Sequence, residues 1–365
     1  MAVVLMLWWQ GLLLSVLDAD TYYGAAVWHS HEMVFGFAVA VIAGFLLTAV
    51  RNWTNVQTLK GPWLAAIVML WLAGRLLPLF STMVPSWLIA LVDSVFLPLL
   101  ALFLAIPILR AKKRPQLIFV AMLMLMLLGN IMVHLELLGI TENSAEAGVT
   151  LAMNTVVLII VIMAGRVFPM FTKNGAPGAQ PRKWQWLEKI AIVSVIALLV
   201  VELVHPQARL LTALAGVAAL VHAARLWGWY SRLLWSVPLL WVLHLGYAWL
   251  VLGFALKALL ISGVIDPVLA IHAIAAAIAV LSLGMMSRVS LGHTGRPLIA
   301  ADSMTWAFVF INLAMVARVL APMFVPGWSA AATIISAGLW LIAFVLFVYT
   351  YLPVLSRGRV DGKQG

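Results

Sequence analysis

The stretch AVWHSHEMVFGFAVAVIAGFLLTAV, residues 26–50, decides the fold class of this chain. His29, His31 and Glu32 open it, and a long run of apolar or small residues follows, close to the ~20 residues that a membrane-spanning helix needs. The three polar side chains therefore lie where a hydrophobic helix meets the membrane surface. Polar groups at that depth are costly and usually have a partner or a metal.

The composition extends this interpretation to the whole chain. Its 365 residues are 65% hydrophobic and only 9% charged, and the mean hydropathy is +1.11. Soluble domains carry about 25% charged residues, so the sequence indicates an integral membrane protein. The apolar stretches are continuous rather than alternating, which favours an all-α bundle over a β-barrel.

The absence of cysteine limits the chemistry. Disulfides, thiolate metal sites and covalently attached c-type haem are excluded. Any metal must bind histidine, carboxylate, methionine or backbone atoms.

Clusters of proline, glycine and charge divide the chain into about twelve predicted spans, which we treat as one transmembrane domain over residues 1–365. The first span lacks a basic start and a cleavage site, so we interpret it as a short or truncated helix rather than a signal peptide. The predicted spans cover residues 1–17, 27–50, 61–80, 85–109, 115–138, 147–171, 187–204, 207–230, 235–262, 266–289, 301–321 and 328–355.

The basic residues predict the orientation of these spans. With the N-terminus inside, most of the 22 lysines and arginines fall in inner loops, and Arg75, Arg209, Lys257 and Arg318 stay on the outer side. We therefore predict an N-in, C-in topology. The net charge of +10 reflects this topology, so the expected partner is the lipid bilayer and not nucleic acid.

Four histidines are predicted at one depth, near the outer ends of three helices. They are His29, His31, His134 and His272. Arg75 and Arg318 share this layer, and Asp93 lies slightly deeper. The alternative is that these imidazoles are unrelated and merely bond helix carbonyls.

Residue spacing refines this prediction. Residues two apart on an α-helix point in nearly opposite directions, so His29 and His31 are predicted to serve two different centres. Glu32 shares a face with His29 and could hold its second ring nitrogen. His222 and His244 form a second, deeper pair, and Tyr247 shares a face with His244, which hints at a proton donor near a metal.

Imidazoles without thiolates suit a b-type haem or a histidine copper site. Arg75 and Arg318 would pair naturally with haem propionates, or else would pair with Asp93 or Glu136 or extend to the membrane surface. The residues alone predict a polytopic membrane protein with one or two histidine metal centres.

Several motifs resemble the signatures of the NnrS family of bacterial membrane proteins, in family order across nearly the whole chain. One departure is Arg51, where the family pattern has proline, and another is Asn55, where it has glycine. The motifs are WHSHEMVFGFAVAVIAGFLLTAVRNWT (residues 28–54), WLAGRL (71–76), GNIMVHLE (129–136), GRVFPMFTKNG (165–175), LHLGYAWLVLG (243–253) and IHAIAAAIAVLSLGMMSRVSLGHTGRP (271–297).

The resemblance implies a protein of the bacterial cytoplasmic membrane that contains haem and copper and is associated with denitrification and nitric oxide defence. It implies no particular reaction. The motif histidines matched here are His29, His31, His134, His244, His272 and His293. His293 falls in a predicted inner loop, so we leave it outside the metal site.

Three functions follow as hypotheses. The first is a redox enzyme that binds and reduces nitric oxide, with an electron donor that the sequence does not identify. In it, His272 or His134 would bind haem and His29 or His31 copper. A proton would pass through Glu32, Glu136 or Tyr247. The second is a haem protein that senses or scavenges nitric oxide without turnover, and the third is a transporter of a metal or metal–nitrosyl complex.

Overall fold

The computed structural model describes residues 2–17, 21–204, 209–260, 263 and 265–362. This part of the chain is helical throughout, with short turns between the helices, and each predicted span corresponds to one helix. The helices are α1 (Ala2–Leu13), α2 (Ala25–Thr54), α3 (Gly61–Leu76), α4 (Ser86–Arg110), α5 (Leu117–Leu137), α6 (Ser144–Gly175), α7 (Gln185–Val204), α8 (Arg209–Trp229), α9 (Pro238–Leu259), α10 (Pro267–His293), α11 (Asp302–Phe324) and α12 (Ser329–Leu355).

Among the described residues, 10 helices are long and apolar enough to cross a membrane. The two others are α1, which has 12 residues, and α7, which carries Glu188, Lys189 and Glu202. The chain is therefore an all-α, multi-pass membrane protein, as predicted. The N-in, C-in orientation stays a prediction. The predicted break between α7 and α8 falls on residues 205–208, which lie outside the described residues.

Local chemistry sets the helix boundaries. Proline occupies the first turn of α3, α9 and α10, where the missing N–H costs nothing. Asn55 ends α2 in the left-handed conformation, with φ 53°. Asparagine tolerates this conformation better than most residues, which explains how it can replace the glycine of the family pattern.

Helix α2 is not a regular α-helix. Its segment Glu32–Ala38 is π-helical and begins directly after His31. π-Helical turns inside α-helices occur frequently at functional sites. The segment that we singled out from the sequence therefore contains a local departure from α-helical geometry.

The chain divides into two compact units, which we call unit 1 and unit 2. Unit 1 comprises residues 11–159, and unit 2 comprises residues 2–10 together with the chain from residue 160 onward. In unit 1, α4 packs against α2, α3 and α5; in unit 2, consecutive helices from α7 to α12 pack against each other. Whether both units form the single domain that we expected stays a prediction.

Small residues allow close helix contacts within each unit. In unit 1, a Cβ on Gly129 would lie 2.5 Å from the Gly148 carbonyl oxygen. In unit 2, a Cβ on Gly246 would lie 2.7 Å from the Leu281 side chain, and one on Gly253 would lie 2.6 Å from the Ile274 side chain. Such contacts without a Cβ are typical of membrane helix packing.

Candidate metal centre

Three helices of unit 1 bring two imidazoles and a carboxylate to one point. His31 of α2, Asp93 of α4 and His134 of α5 are buried, and one potential ligand atom from each lies within 4.8 Å of the others. Asp93 Oδ2 lies 3.2 Å from His31 Nε2 and 3.0 Å from His134 Nε2. Two imidazole nitrogens and a carboxylate oxygen are a common ligand set for a transition metal.

The other nitrogen of each imidazole also has a polar partner. His31 Nδ1 lies 3.3 Å from Glu32 Oε1, and His134 Nδ1 lies 3.2 Å from the Tyr22 hydroxyl. In metal sites, a hydrogen-bond partner on the second ring nitrogen orients the ligand histidine and fixes its tautomer. The surroundings of both rings thus suit ligation through Nε2.

Asn130 and Tyr23 complete the wall around His31. Asn130 Oδ1 lies 2.8 Å from His31 Nε2, and Asn130 Nδ2 donates to Asp93 Oδ2 over 2.9 Å. The Tyr23 ring stacks on the His31 ring with centroids 4.4 Å apart, and its hydroxyl lies 3.3 Å from Nε2. The His31 ring is therefore held on its face and at both nitrogens.

A buried arginine partly balances the charge. Arg75 Nε lies 3.1 Å from Glu32 Oε1, and Arg75 Nη2 pairs with Asp93 Oδ1. With neutral imidazoles, the two carboxylates exceed the one guanidinium by one formal negative charge. Buried charge is costly unless it is paired, so this excess favours a bound cation.

Two glycines make room for the carboxylates. A Cβ on Gly36 would overlap Glu32 Oε2, and a Cβ on Gly74 would lie 2.7 Å from Asp93 Oδ1. Gly74 belongs to the WLAGRL motif and directly precedes Arg75. These glycines therefore act by letting charged side chains lie against a helix backbone.

The two tyrosines precede α2 and lie outside the spans. Burial raises the pKa of Tyr22 to about 12 and raises the pKa of Tyr23 well above its ordinary value. Both phenols therefore stay neutral at physiological pH. With His134 Nε2 as the ligand atom, its Nδ1–H can donate to the oxygen of the neutral Tyr22 hydroxyl.

Unit 2 contains its own network of buried, hydrogen-bonded polar side chains. Arg225 binds Glu188 through two bonds, Nε to Oε1 at 3.2 Å and Nη2 to Oε2 at 2.8 Å. Arg225 Nη1 donates to the Tyr247 hydroxyl over 2.5 Å, and that hydroxyl lies 2.6 Å from His222 Nδ1. Tyr247, predicted as a proton donor, thus links an arginine to His222.

His244 lies beside these hydrogen-bonded side chains but makes different hydrogen bonds. Its Nδ1 donates to the Leu240 carbonyl over 3.0 Å. Within the described residues, its buried Nε2 has no hydrogen-bond partner. Such a ring nitrogen could bind a metal.

His272 and Arg318, also in unit 2, contact each other. His272 Nδ1 donates to the Val268 carbonyl over 2.7 Å, and Nε2 accepts from Arg318 Nη2 over 3.0 Å. Both ring nitrogens are therefore engaged. His272 as a metal ligand stays a prediction, and these contacts suit a different role.

The remaining predicted residues occupy other positions. His29 is half-buried at the start of α2 and is not one of the three potential metal ligands found among the described residues. Glu136 Oε2 accepts from the Ala145 backbone N–H over 2.7 Å, at the start of α6. His293 is exposed and is the last residue of α10, rather than part of the predicted inner loop, and its place outside the metal site stays a prediction.

Sequence reasoning missed Asp93 as a third ligand and did not consider Asn130, Tyr22 or Tyr23. One signal was present for Asn130, because it lies four residues before His134 and so shares its helix face. No periodicity marks the tyrosines, which precede the helix.

Comparison with protein families matches residues 1–359 to the family described as NnrS protein. No curated protein and no solved structure matches the chain.

Proposed function

Because the chain belongs to the NnrS family, as its motifs predicted, we propose that it is a haem- and copper-containing protein of the bacterial cytoplasmic membrane that binds nitric oxide. The observation that carries this proposal is the convergence of His31, Asp93 and His134 on one buried point. Nitric oxide is small and uncharged, so a centre inside an apolar bundle suits it.

The three converging residues fit copper. Imidazole is a good copper ligand, and a carboxylate adds the charge that a divalent ion prefers. When bound, copper supplies the position at which nitric oxide coordinates. Arg75 and Glu32 hold the donors in place from one side, and Tyr22 does so from the other.

Among the histidines predicted as metal ligands, His244 has the contacts that fit haem best. Its Nδ1 proton is committed to Leu240, and its buried Nε2 makes no hydrogen bond to the described residues. We therefore propose His244 as the haem ligand. His31 and His134 instead direct Nε2 at Asp93, and His272 directs Nε2 at Arg318.

Glu32 is proposed as a proton-transfer group beside the centre. Its Oε1 faces His31 and Arg75, whereas Oε2 has no hydrogen-bond partner in the described part of unit 1. A carboxylate with one free oxygen beside the centre can accept a proton. The electron donor that a reductase would need is left open.

The test uses purified protein loaded with haem and copper. Metal analysis and absorption spectra should show both metals, and His31→Ala or His134→Ala should lose copper while keeping haem. His244→Ala should lose haem while keeping copper. His293→Ala, which changes an exposed histidine, should keep both.

Nitric oxide binding separates the candidate functions. A stable complex formed stoichiometrically would indicate a binding protein, and steady consumption by the reduced protein at a nitric oxide electrode would indicate an enzyme. Metal-replete protein that neither binds nor consumes nitric oxide would refute the proposal.

A further inference from the structure

Arg318 carries a positive charge inside a membrane helix without a carboxylate partner. It lies in α11, and among the described residues no aspartate or glutamate forms an ion pair with it. Three buried cations of the described chain have such partners: Arg75 pairs with Asp93, Arg225 with Glu188 and Lys257 with Glu202. A fourth, Arg288, lies over the Phe171 ring instead, whereas half-buried Arg318 has neither kind of partner among the described residues. A charge in a membrane span that is not compensated is costly and usually marks a functional site.

The one hydrogen bond of Arg318 in the described structure holds the guanidinium in place without neutralising it. His272 Nε2 accepts from Nη2 over 3.0 Å, because the proton on Nδ1 is donated to the Val268 carbonyl. A neutral imidazole contributes a lone pair but no charge. The other N–H groups of the guanidinium therefore remain available to a ligand.

The nearest acidic group is already engaged. Asp266 Oδ1 accepts from the Val268 backbone N–H over 2.9 Å and so caps the start of α10. It attracts Arg318 across a distance but forms no ion pair with it. Asp266 therefore does not use the hydrogen-bond donors of the guanidinium.

The backbone around Arg318 is also unusual. Val316–Leu320 is π-helical, and the other π-helical segment of the described chain adjoins His31 at the metal centre. π-Helical turns are frequent at functional sites. This observation is independent of the charge and indicates that the segment is specialised.

We propose that Arg318, positioned by His272, binds an oxyanion of the phosphate class. The planar guanidinium donates two parallel hydrogen bonds to such groups. The ligand is either the phosphate of an anionic lipid headgroup or a free oxyanion. This proposal does not rest on the metal centre or on nitric oxide.

Two probes separate these sources. Inorganic phosphate is titrated into the detergent-purified protein by calorimetry, and retained phosphatidylglycerol is counted by native mass spectrometry after reconstitution in nanodiscs. Binding of either probe should weaken about tenfold or more in Arg318→Gln, because charge-assisted hydrogen bonds are lost. Arg318→Lys should keep part of the affinity, because lysine retains the positive charge but lacks the two parallel N–H donors of the guanidinium.

Arg209→Gln is the matched control, because Arg209 is exposed at the start of α8 and is predicted on the same side. It should bind both probes as the unchanged protein does. Loss of phosphate binding in Arg318→Gln identifies a free oxyanion, and loss of lipid alone identifies a headgroup. The proposal fails if the unchanged protein binds neither probe, or if folded Arg318→Gln or Arg318→Lys binds them equally well.

Discussion

Arg75 and Asp93 contact each other through Oδ1 of the carboxylate, which leaves Oδ2 to the two imidazoles. One side chain therefore has two roles, since it neutralises a buried guanidinium and also provides the potential metal ligand that joins His31 to His134.

Asp93→Asn should reduce the copper affinity about tenfold or more. The amide keeps the size of the side chain but removes the charge that a ligand carboxylate supplies. Copper bound at equilibrium, measured by competition with a chelator, checks this. Asp302→Asn changes an exposed aspartate at the start of α11 and should have no effect.

Full copper affinity in folded Asp93→Asn would show that Asp93 is not a ligand. His31→Gln and His134→Gln would then show whether the imidazoles hold the metal without it.

Tyr22→Phe should change the pH dependence of stability. The pKa of Tyr22 is about 12 in the folded protein against 10.0 ordinarily, so the folded state retains this proton after the unfolded state has lost it. Stability should therefore fall as the pH rises from about 10 to about 12, and less steeply in Tyr22→Phe. Thermal unfolding at several pH values measures this.

Tyr349→Phe, which alters an exposed tyrosine, is the control for this slope and should behave like the unchanged protein. An equal slope in Tyr22→Phe would mean that the Tyr22 phenol does not keep its proton in this range.

Gly36→Ala should disturb the centre, whereas Gly44→Ala in the same helix should not. A Cβ at position 36 would overlap the Glu32 carboxylate, but at position 44 nothing lies within 4 Å. We expect a loss of about 1–3 kcal/mol for Gly36→Ala and a change of about 1 kcal/mol or less for Gly44→Ala. Denaturant unfolding and copper content check both, and equal effects would contradict the packing described here.

Tyr247→Phe should destabilise unit 2 without affecting the copper centre. It removes the hydroxyl that accepts from Arg225 and contacts His222, and such a loss costs about 1–3 kcal/mol when a buried partner is left unpaired. Unfolding curves and copper content give the two readouts. Unchanged stability together with lost copper would contradict this separation.

Much of the fold was predictable, because each span is a continuous apolar run and turns occur where proline, glycine and charge interrupt it. The depth of each residue within its span placed His31, His134 and Arg75 near one end of their helices. All three side chains belong to the candidate metal centre of unit 1. The sequence also predicted Asp93 as a possible partner of Arg75, and this ion pair is present.

Other parts of the sites depend on tertiary packing and were not predictable. Arg225 and Glu188 are 37 residues apart, and nothing in either helix indicates that they face each other. The argument from His29 and His31 assumed an α-helix, and Ala25–His31 is one. The shared face predicted for His29 and Glu32 is different, because the π-helical segment begins at Glu32. Side-chain directions beyond that point could not be derived from α-helical spacing.

The π-helical segment of α2 has a consequence for how the protein tolerates deletions. A π-turn holds more residues than an α-turn, so removing one residue between Glu32 and Ala38 could restore an α-helix without breaking it. Because the wide π-turn already absorbs one extra residue, such a deletion leaves the two flanking segments at nearly the same rotation about the helix axis. A deletion in a regular α-helical stretch would instead turn one flank by about 100°. We therefore expect a one-residue deletion to be tolerated better within Glu32–Ala38 than elsewhere in α2.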